Sequence, residues 1–184
     1  MDAGTMIASA IAGVVVAYVI LAYNRLVARR NHVLEAWSGI DVQLKRRHDL
    51  LPKLVDAVKA YTRYEEKALQ DITRLRTATQ STGSARSQAE NGLTTALRGL
   101  FALAEAYPDL KASSGYLDLQ RQISDAEEQI QYARRYYNGT VRELNILVES
   151  FPGNLVARLF RYRLMDYFEI ELATQRDSPD LGLS

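Results

Sequence analysis

The residues best suited to bind a metal are the two histidines, His32 and His48, and the acids near them. A carboxylate-bridged di-metal site in a four-helix bundle needs a glutamate on each of two helices and a Glu-x-x-His pair on each of the others. Neither histidine has a glutamate three residues before it, and Glu35, three residues after His32, is more typical of a solvated helix face. The sequence therefore predicts no metal site.

Covalent catalysis and phosphate binding find no better support in the sequence. The chain contains no cysteine, which excludes thiolate chemistry, disulfides and sulfur-ligated zinc. No serine lies in a Gly-x-Ser-x-Gly turn, and Gly83 and Gly92 stand alone rather than in a glycine-rich phosphate loop. We predict a protein with no catalytic residues, no cofactor and no enzymatic activity.

The one polar cluster that stands out runs from Asp41 to Asp49. It could bind a partner or an anionic bilayer, or it could be a helix C-terminus whose cations favour the helix dipole, followed by an aspartate cap; we favour the second interpretation. We expect Asp41 to be partly buried and paired with an arginine of another helix, Arg134 or Arg135. The candidates for partner binding or bundle specificity are Asp41, Arg46, Arg47, Arg134, Arg135, Tyr137 and Asn138.

An uncharged apolar run from Met6 to Tyr23 precedes these residues. As a helix of about 18 residues it would be ~27 Å long, close to the ~30 Å hydrocarbon core of a bilayer. A cleaved signal peptide is the alternative, but no basic residue comes before the run and no small-x-small cleavage site follows it. The run predicts a single transmembrane helix.

Basic residues lie only after this run, with Asp2 before it. The positive-inside rule then places residues 1–5 outside and the rest of the chain in the cytoplasm. Arg25, Arg29 and Arg30 are the candidates for contact with lipid headgroups. The mixed charge, 23 basic against 22 acidic side chains, gives no field that would attract nucleic acid.

Helical periodicity organises the rest of the chain into one domain, residues 24–174, followed by a polar tail, 175–184, that we expect to be disordered. The first helix is expected to run from the bilayer to Arg47, and a second from Asp49 to Thr79, with Pro52 in its first turn. A polar linker, 80–87, leads to a helix that ends before Tyr107. A long helix follows, with an apolar seam from Leu119 to Leu147.

After Phe151-Pro152-Gly153 the sequence predicts a last amphipathic helix. We expect it to pack on the bundle, although it could also lie on a membrane or join subunits. Its candidate interface residues are Leu155, Leu159, Phe160, Tyr167 and Phe168. Small residues in the span, Ala8, Ala12 and Gly13, also favour a homo-oligomer.

Several long motifs of this chain resemble the LemA family. They are, in order, RRN, AWxxIDVQLKRRHDLLPKLV, AYPDLKA, RRYYN and ESFPxNL, and the likeness runs from Tyr23 to Glu169. The resemblance implies a single-pass protein of the bacterial cytoplasmic membrane, with a soluble antiparallel helical bundle of the four-helix type. It implies no known reaction, and suggests a role in organising membranes or membrane-bound partners.

Two functions therefore remain open. The first is a membrane-anchored helical scaffold that assembles with itself or with integral membrane proteins, in contact with membrane lipid. The alternative is an accessory binding subunit of an envelope enzyme or quality-control complex. The two differ in whether the solubilised protein forms a defined assembly alone or only with a second protein.

Overall fold

The computed structural model describes residues 2–61, 66–79 and 84–168, and these residues form helices and connecting segments without a strand. The predicted all-α fold is confirmed. The helices are α1 (Ala3–Lys59), α2 (Glu66–Ala78), α3 (Ser84–Ala104), α4 (Pro108–Ala112), α5 (Ser114–Glu149) and α6 (Gly153–Leu159). The predicted disordered tail, 175–184, lies outside the described residues.

Helix α1 passes through the point at which we expected one helix to end and another to begin. It continues beyond Arg47, through Asp49 and Pro52, to Lys59. The prediction of a boundary there was wrong, because buried side chains continue across it at alternating spacings of four and three. This seam contains Ile40, Leu44, Arg47, Leu51, Leu54 and Val58. Burial of the seam outweighs the hydrogen bond that Pro52 cannot make.

Among the helices of the described chain, α1 alone is long and apolar enough to cross a membrane, and its apolar part is N-terminal. Its most apolar window has a mean hydropathy of 2.3, and none of that window is buried by the rest of the chain. Val14 and Leu21, for example, are 70% and 69% exposed. An apolar surface of this size in water would be strongly unfavourable, so the segment fits a membrane anchor.

The described chain divides into two compact units. Within the described residues the second unit consists of Asp41–Gln131 and Phe168, and it contains the main hydrophobic core, to which α1, α2, α3, α4 and α5 all contribute. Leu54, Ile72, Leu97, Leu110 and Ile123 are among its fully enclosed members, one from each helix. Helix α3 begins at Ser84, within the stretch that we predicted as linker, and Ser87 is buried.

The first unit consists of the chain up to Ile40 and of Tyr132–Tyr167. In it, α1 and α5 run antiparallel: Trp37 contacts Tyr137 edge to face, with ring centroids 5.3 Å apart, and nearer the membrane run Arg29 pairs with Glu143. The seam predicted for α5 is confirmed in this unit, where Tyr137, Thr140 and Leu144 are buried.

The last amphipathic helix is shorter than we predicted. Helix α6 ends at Leu159, and residues 162–168 have no regular structure. The helix ends there in a left-handed turn at Arg161, which has φ 59°. The amide of Tyr162 donates to the carbonyl of Ala157 at 2.8 Å, and that of Arg161 donates to the carbonyl of Arg158 at 3.1 Å. These two bonds form a Schellman motif, which stops a helix.

Candidate functional site

A buried ionic cluster lies in the second unit, centred on Arg47. Its guanidinium forms ion pairs with Glu90 of α3 and Glu127 of α5, and donates to the hydroxyl of Thr94 at 2.9 Å. The side chains of Arg47 and Glu90 are fully buried, and that of Glu127 is 19% exposed. The Thr94 hydroxyl in turn donates to Glu127 at 3.0 Å. One cation thereby joins three helices.

Glu90 is also in contact with His48, whose Nε2 lies 3.3 Å from its carboxylate. Burial alone would raise the pKa of Glu90, but the hydrogen bond with His48 and the charge of Arg47 outweigh it, so the pKa is lowered from the ordinary value of 4.5. Glu90 is therefore held as a carboxylate at neutral pH. Both acids contact the enclosed guanidinium, so the cluster connects α1, α3 and α5 through buried charges.

The sequence named Arg47 as a candidate but did not identify its role. We attributed the cations near it to a helix C-terminus, which is wrong because α1 continues to Lys59. The missed partners were Glu90, Thr94 and Glu127. The spacing of these residues could have revealed the cluster. Arg47 lies at a seam position of α1 where an apolar residue is expected, and Glu90 lies three residues before Leu93, at the start of the buried seam of α3 that continues with Leu97, Leu100 and Ala104.

Asp41 has a partner that the sequence did not predict. It accepts a hydrogen bond from Arg86 Nη2 at 2.6 Å, and the two side chains are 44% and 24% exposed. We had expected an arginine of the RRYYN motif, and we had assigned Arg86 to a linker. Arg46, another candidate, is exposed.

The RRYYN motif lies on α5 in the first unit, and its residues face different surroundings. Arg134 is buried, whereas Arg135 is exposed and stacks over the Tyr132 ring at 4.6 Å. Tyr137 is buried and donates its hydroxyl hydrogen to the carbonyl of Asp166 at 3.1 Å. Burial, followed by the charge of Asp166, raises its pKa above the ordinary 10.0. Asn138 is half-buried, and Tyr136 is 58% exposed.

The irregular segment after α6 is held to α5 by polar side chains. Asn145 is buried; its amide donates to the carbonyl of Met165 and its carbonyl accepts from the Met165 amide, both at 2.9 Å. With the Tyr137 bond to Asp166, this fixes consecutive residues of the segment. The predicted interface residues differ in exposure. Phe168 is buried, whereas the other four are exposed: Leu155, Leu159, Phe160 and Tyr167.

The predicted headgroup contacts, Arg25, Arg29 and Arg30, also differ from one another. Arg29 is committed to its ion pair with Glu143, and Arg25 is exposed. Arg30 lines a cavity of about 410 Å³ in the first unit, together with Tyr23, Phe160, Arg161 and Arg163. This cavity is the candidate binding site.

Within the described residues, no group of three or more His, Cys, Asp or Glu side chains could bind a metal.

Comparison with known proteins adds a family relationship. The family model described as "LemA family" matches residues 36–182. Protein LemA of Metamycoplasma hominis is 31% identical over 159 residues, which cover 80% of this chain and 70% of that protein.

More distant similarity covers only part of the chain. Magnetosome protein MamQ of Magnetospirillum gryphiswaldense is 26% identical over 86 residues, and Magnetosome protein MamQ 2 of Paramagnetospirillum magneticum is 28% identical over 87 residues. Each match covers 47% of this chain and 32% of the relative.

Proposed function

The chain belongs to the LemA family, and from that premise we propose that it is a membrane-anchored scaffold that assembles with copies of itself, without catalysing a reaction. In this proposal the apolar run spans the cytoplasmic membrane once, and the helical units lie on the cytoplasmic side. The similarity to proteins named for the magnetosome supports a role in organising a cellular structure.

The observation that carries the proposal is the exposed apolar part of α1. No part of its most apolar window is buried by the chain, and the same helix continues without a break into the core of the second unit. A bilayer is the solvent that such a segment fits. Helix α1 itself is continuous from the apolar run to Lys59.

Self-assembly is supported by the outer face of α6. Leu155 and Leu159 are one helical turn apart and are 58% and 69% exposed, whereas Val156 and Ala157 face inward and are buried. Phe151, just before the helix, is 79% exposed. Adjacent large apolar side chains of this kind are typical of contact surfaces, and we assign this one to a second copy of the chain.

The test is the size of the assembly formed by the full-length protein. After extraction from its native membrane in a mild detergent, the protein should appear as a defined homomeric particle by mass photometry, with no stoichiometric companion identified in the same peak. Replacing Leu155 and Leu159 with Gln should shift the particle to smaller mass, because two amides would be placed in an apolar contact.

The matched control is Leu117→Gln, which changes an exposed leucine on α5 that is 40% accessible. It should leave the assembly unchanged. A monomeric wild-type protein would contradict the proposal. A small particle with one companion protein would instead support the accessory subunit described above.

A further inference from the structure

The cavity in the first unit lies where the apolar run ends. Tyr23, the last residue of the run, forms part of its wall and contacts Phe160, with ring centroids 4.6 Å apart. Arg30, on the same wall, lies two helical turns further, about 10 Å along the axis. In a bilayer the headgroup layer extends only ~5–8 Å beyond the hydrocarbon core. If the run spans a membrane, Tyr23 lies at the edge of the hydrocarbon core, and the cavity extends from the headgroup layer to a few ångströms beyond it.

The charged side chains of the described chain that line the cavity are all positive. Arg30, Arg161 and Arg163 line it, and among the residues that the structure describes no acidic one does. Within the described part of the chain none of these three guanidinium groups forms an ion pair, in contrast to Arg29, which is neutralised by Glu143. A guanidinium group can donate two parallel hydrogen bonds to two oxygens of one phosphate. Several guanidinium groups around one cavity therefore favour a phosphate over a neutral ligand.

Part of the remaining wall is apolar. Phe160 and Leu164 come from the chain around the end of α6, and Leu144 comes from α5. Phe160 and Leu164 are 45% and 53% exposed, so an apolar group could contact them. A ligand with both a phosphate and an aliphatic part would satisfy the two kinds of wall at once.

Arg161 occupies a position that usually belongs to glycine. It is the left-handed residue of the Schellman motif after α6, with φ 59°. A side chain there strains the backbone, and glycine would relieve the strain. The chain nevertheless has an arginine at this position, and that arginine lines the cavity.

We propose that this cavity binds the phosphate of an anionic phospholipid headgroup, with Arg30, Arg161 and Arg163 as its ligands and Phe160 and Leu164 in contact with the start of the acyl chains. The inference rests on the proposed membrane anchor. It commits to a lipid because the cavity adjoins the end of the apolar run, where anionic lipids of the cytoplasmic leaflet would be concentrated.

The test uses the full-length protein in nanodiscs made from equal amounts of phosphatidylglycerol and phosphatidylcholine. Native mass spectrometry after gentle release counts the lipids that stay bound. The wild type should retain phosphatidylglycerol over phosphatidylcholine by about fivefold or more, the factor expected when at least one arginine binds the anionic headgroup. The triple variant Arg30→Gln, Arg161→Gln, Arg163→Gln should lose this preference.

The control variant removes the same charge elsewhere: Arg98→Gln, Arg121→Gln, Arg142→Gln, all at exposed positions. It should keep the preference. A second variant, Arg161→Gly, separates binding from folding, since it removes one ligand while relieving backbone strain. Its melting temperature should equal or exceed that of the wild type, while its retention of phosphatidylglycerol falls.

Four outcomes would overturn the inference. They are equal retention of both lipids by the wild type, retention of the preference by the triple variant, loss of it in the control, and release of the bound lipid by millimolar glycerol phosphate, which would indicate a site for free phosphate esters. If no version enters the nanodisc at all, the proposed anchor fails as well. Incorporation without lipid preference would overturn this inference alone.

Discussion

At the scale of single residues, the ionic cluster of the second unit is where we expect loss of one partner to be costly. Arg47 and Glu90 are fully buried. Arg47 also forms an ion pair with Glu127 and donates a hydrogen bond to Thr94. A buried ion pair adds little to stability compared with apolar residues, but removal of one partner leaves a charge without compensation. The cluster therefore makes one arrangement of α1, α3 and α5 far more favourable than alternatives with shifted helices.

Replacement of Arg47 by Met should destabilise the protein strongly. Two carboxylates would remain in a buried site without their cation, for which we expect a loss of about 3–5 kcal/mol in the free energy of unfolding. Circular dichroism during denaturant unfolding of the full-length protein in detergent measures this. The control is Arg74→Gln, which removes an ion pair whose side chains are 77% and 43% exposed and should cost about 0–1 kcal/mol. Equal effects would contradict the account.

The lowered pKa of Glu90 predicts how stability depends on pH. The folded protein favours the carboxylate, so the contribution of Glu90 is fully present above the ordinary pKa of 4.5 and is lost as the pH falls through the lowered value. The wild type should therefore be more stable than Glu90→Gln at neutral pH, and this difference should shrink during acid titration. A difference that stays constant from about pH 6 to about pH 3 would show that the charge of Glu90 is not involved.

At the scale of elements, apolar periodicity predicted the positions of the helices well and their ends poorly. The seam of α5 and the end of α3 before Tyr107 follow from the spacing of apolar residues. The boundary at Asp49 and Pro52 was wrong because local start signals are weaker than a buried seam that continues on both sides. The cluster was missed because its charged residues stand at seam positions, and pairing across helices cannot be deduced from one helix.

Pro52 should cost the protein stability, since it lies inside α1. It has no N–H to donate to the carbonyl of His48, and its ring crowds that carbonyl. We expect Pro52→Ala to raise the free energy of unfolding, by up to ~3 kcal/mol. The control is Pro108→Ala, at the first position of α4, where a proline is favourable and its removal should give no gain. A destabilised Pro52→Ala variant would contradict this explanation.

Asn145 should hold the segment after α6 in place. Asn145→Ala removes both hydrogen bonds to Met165 and leaves backbone groups without their partner, for an expected cost of about 1–3 kcal/mol. Hydrogen exchange should become faster at Met165 in particular. The neighbouring change Ile146→Ala, at a residue that is 52% exposed, should leave exchange there unaltered. Unchanged protection in Asn145→Ala would mean that other contacts fix the segment.

At the scale of the whole molecule, one helix contains both the apolar run and part of a packed core, and the two proposed contacts, with lipid and with a second copy, rest on exposed cationic and apolar residues. The fold class and the anchor were readable from the sequence because both depend on local periodicity and hydropathy. The arginine-lined cavity was not, since Arg30 and Arg163 are far apart in sequence and come together only in the folded unit.

In the proposed topology the apolar run crosses a bilayer once, and the chain after it lies on one side. The chain has no cysteine, so single substitutions can be labelled without background. We would introduce Thr5→Cys, Val15→Cys or Arg98→Cys one at a time into the full-length protein. Any layer outside the cytoplasmic membrane would be made permeable, and the otherwise intact cells would be treated with a membrane-impermeant maleimide.

We expect the label to reach position 5 in intact cells, to reach position 98 only after the membrane is opened, and not to reach position 15 while the bilayer is intact. If position 15 reacted as fast as position 98, or if positions 5 and 98 reacted from the same side, this topology would be wrong.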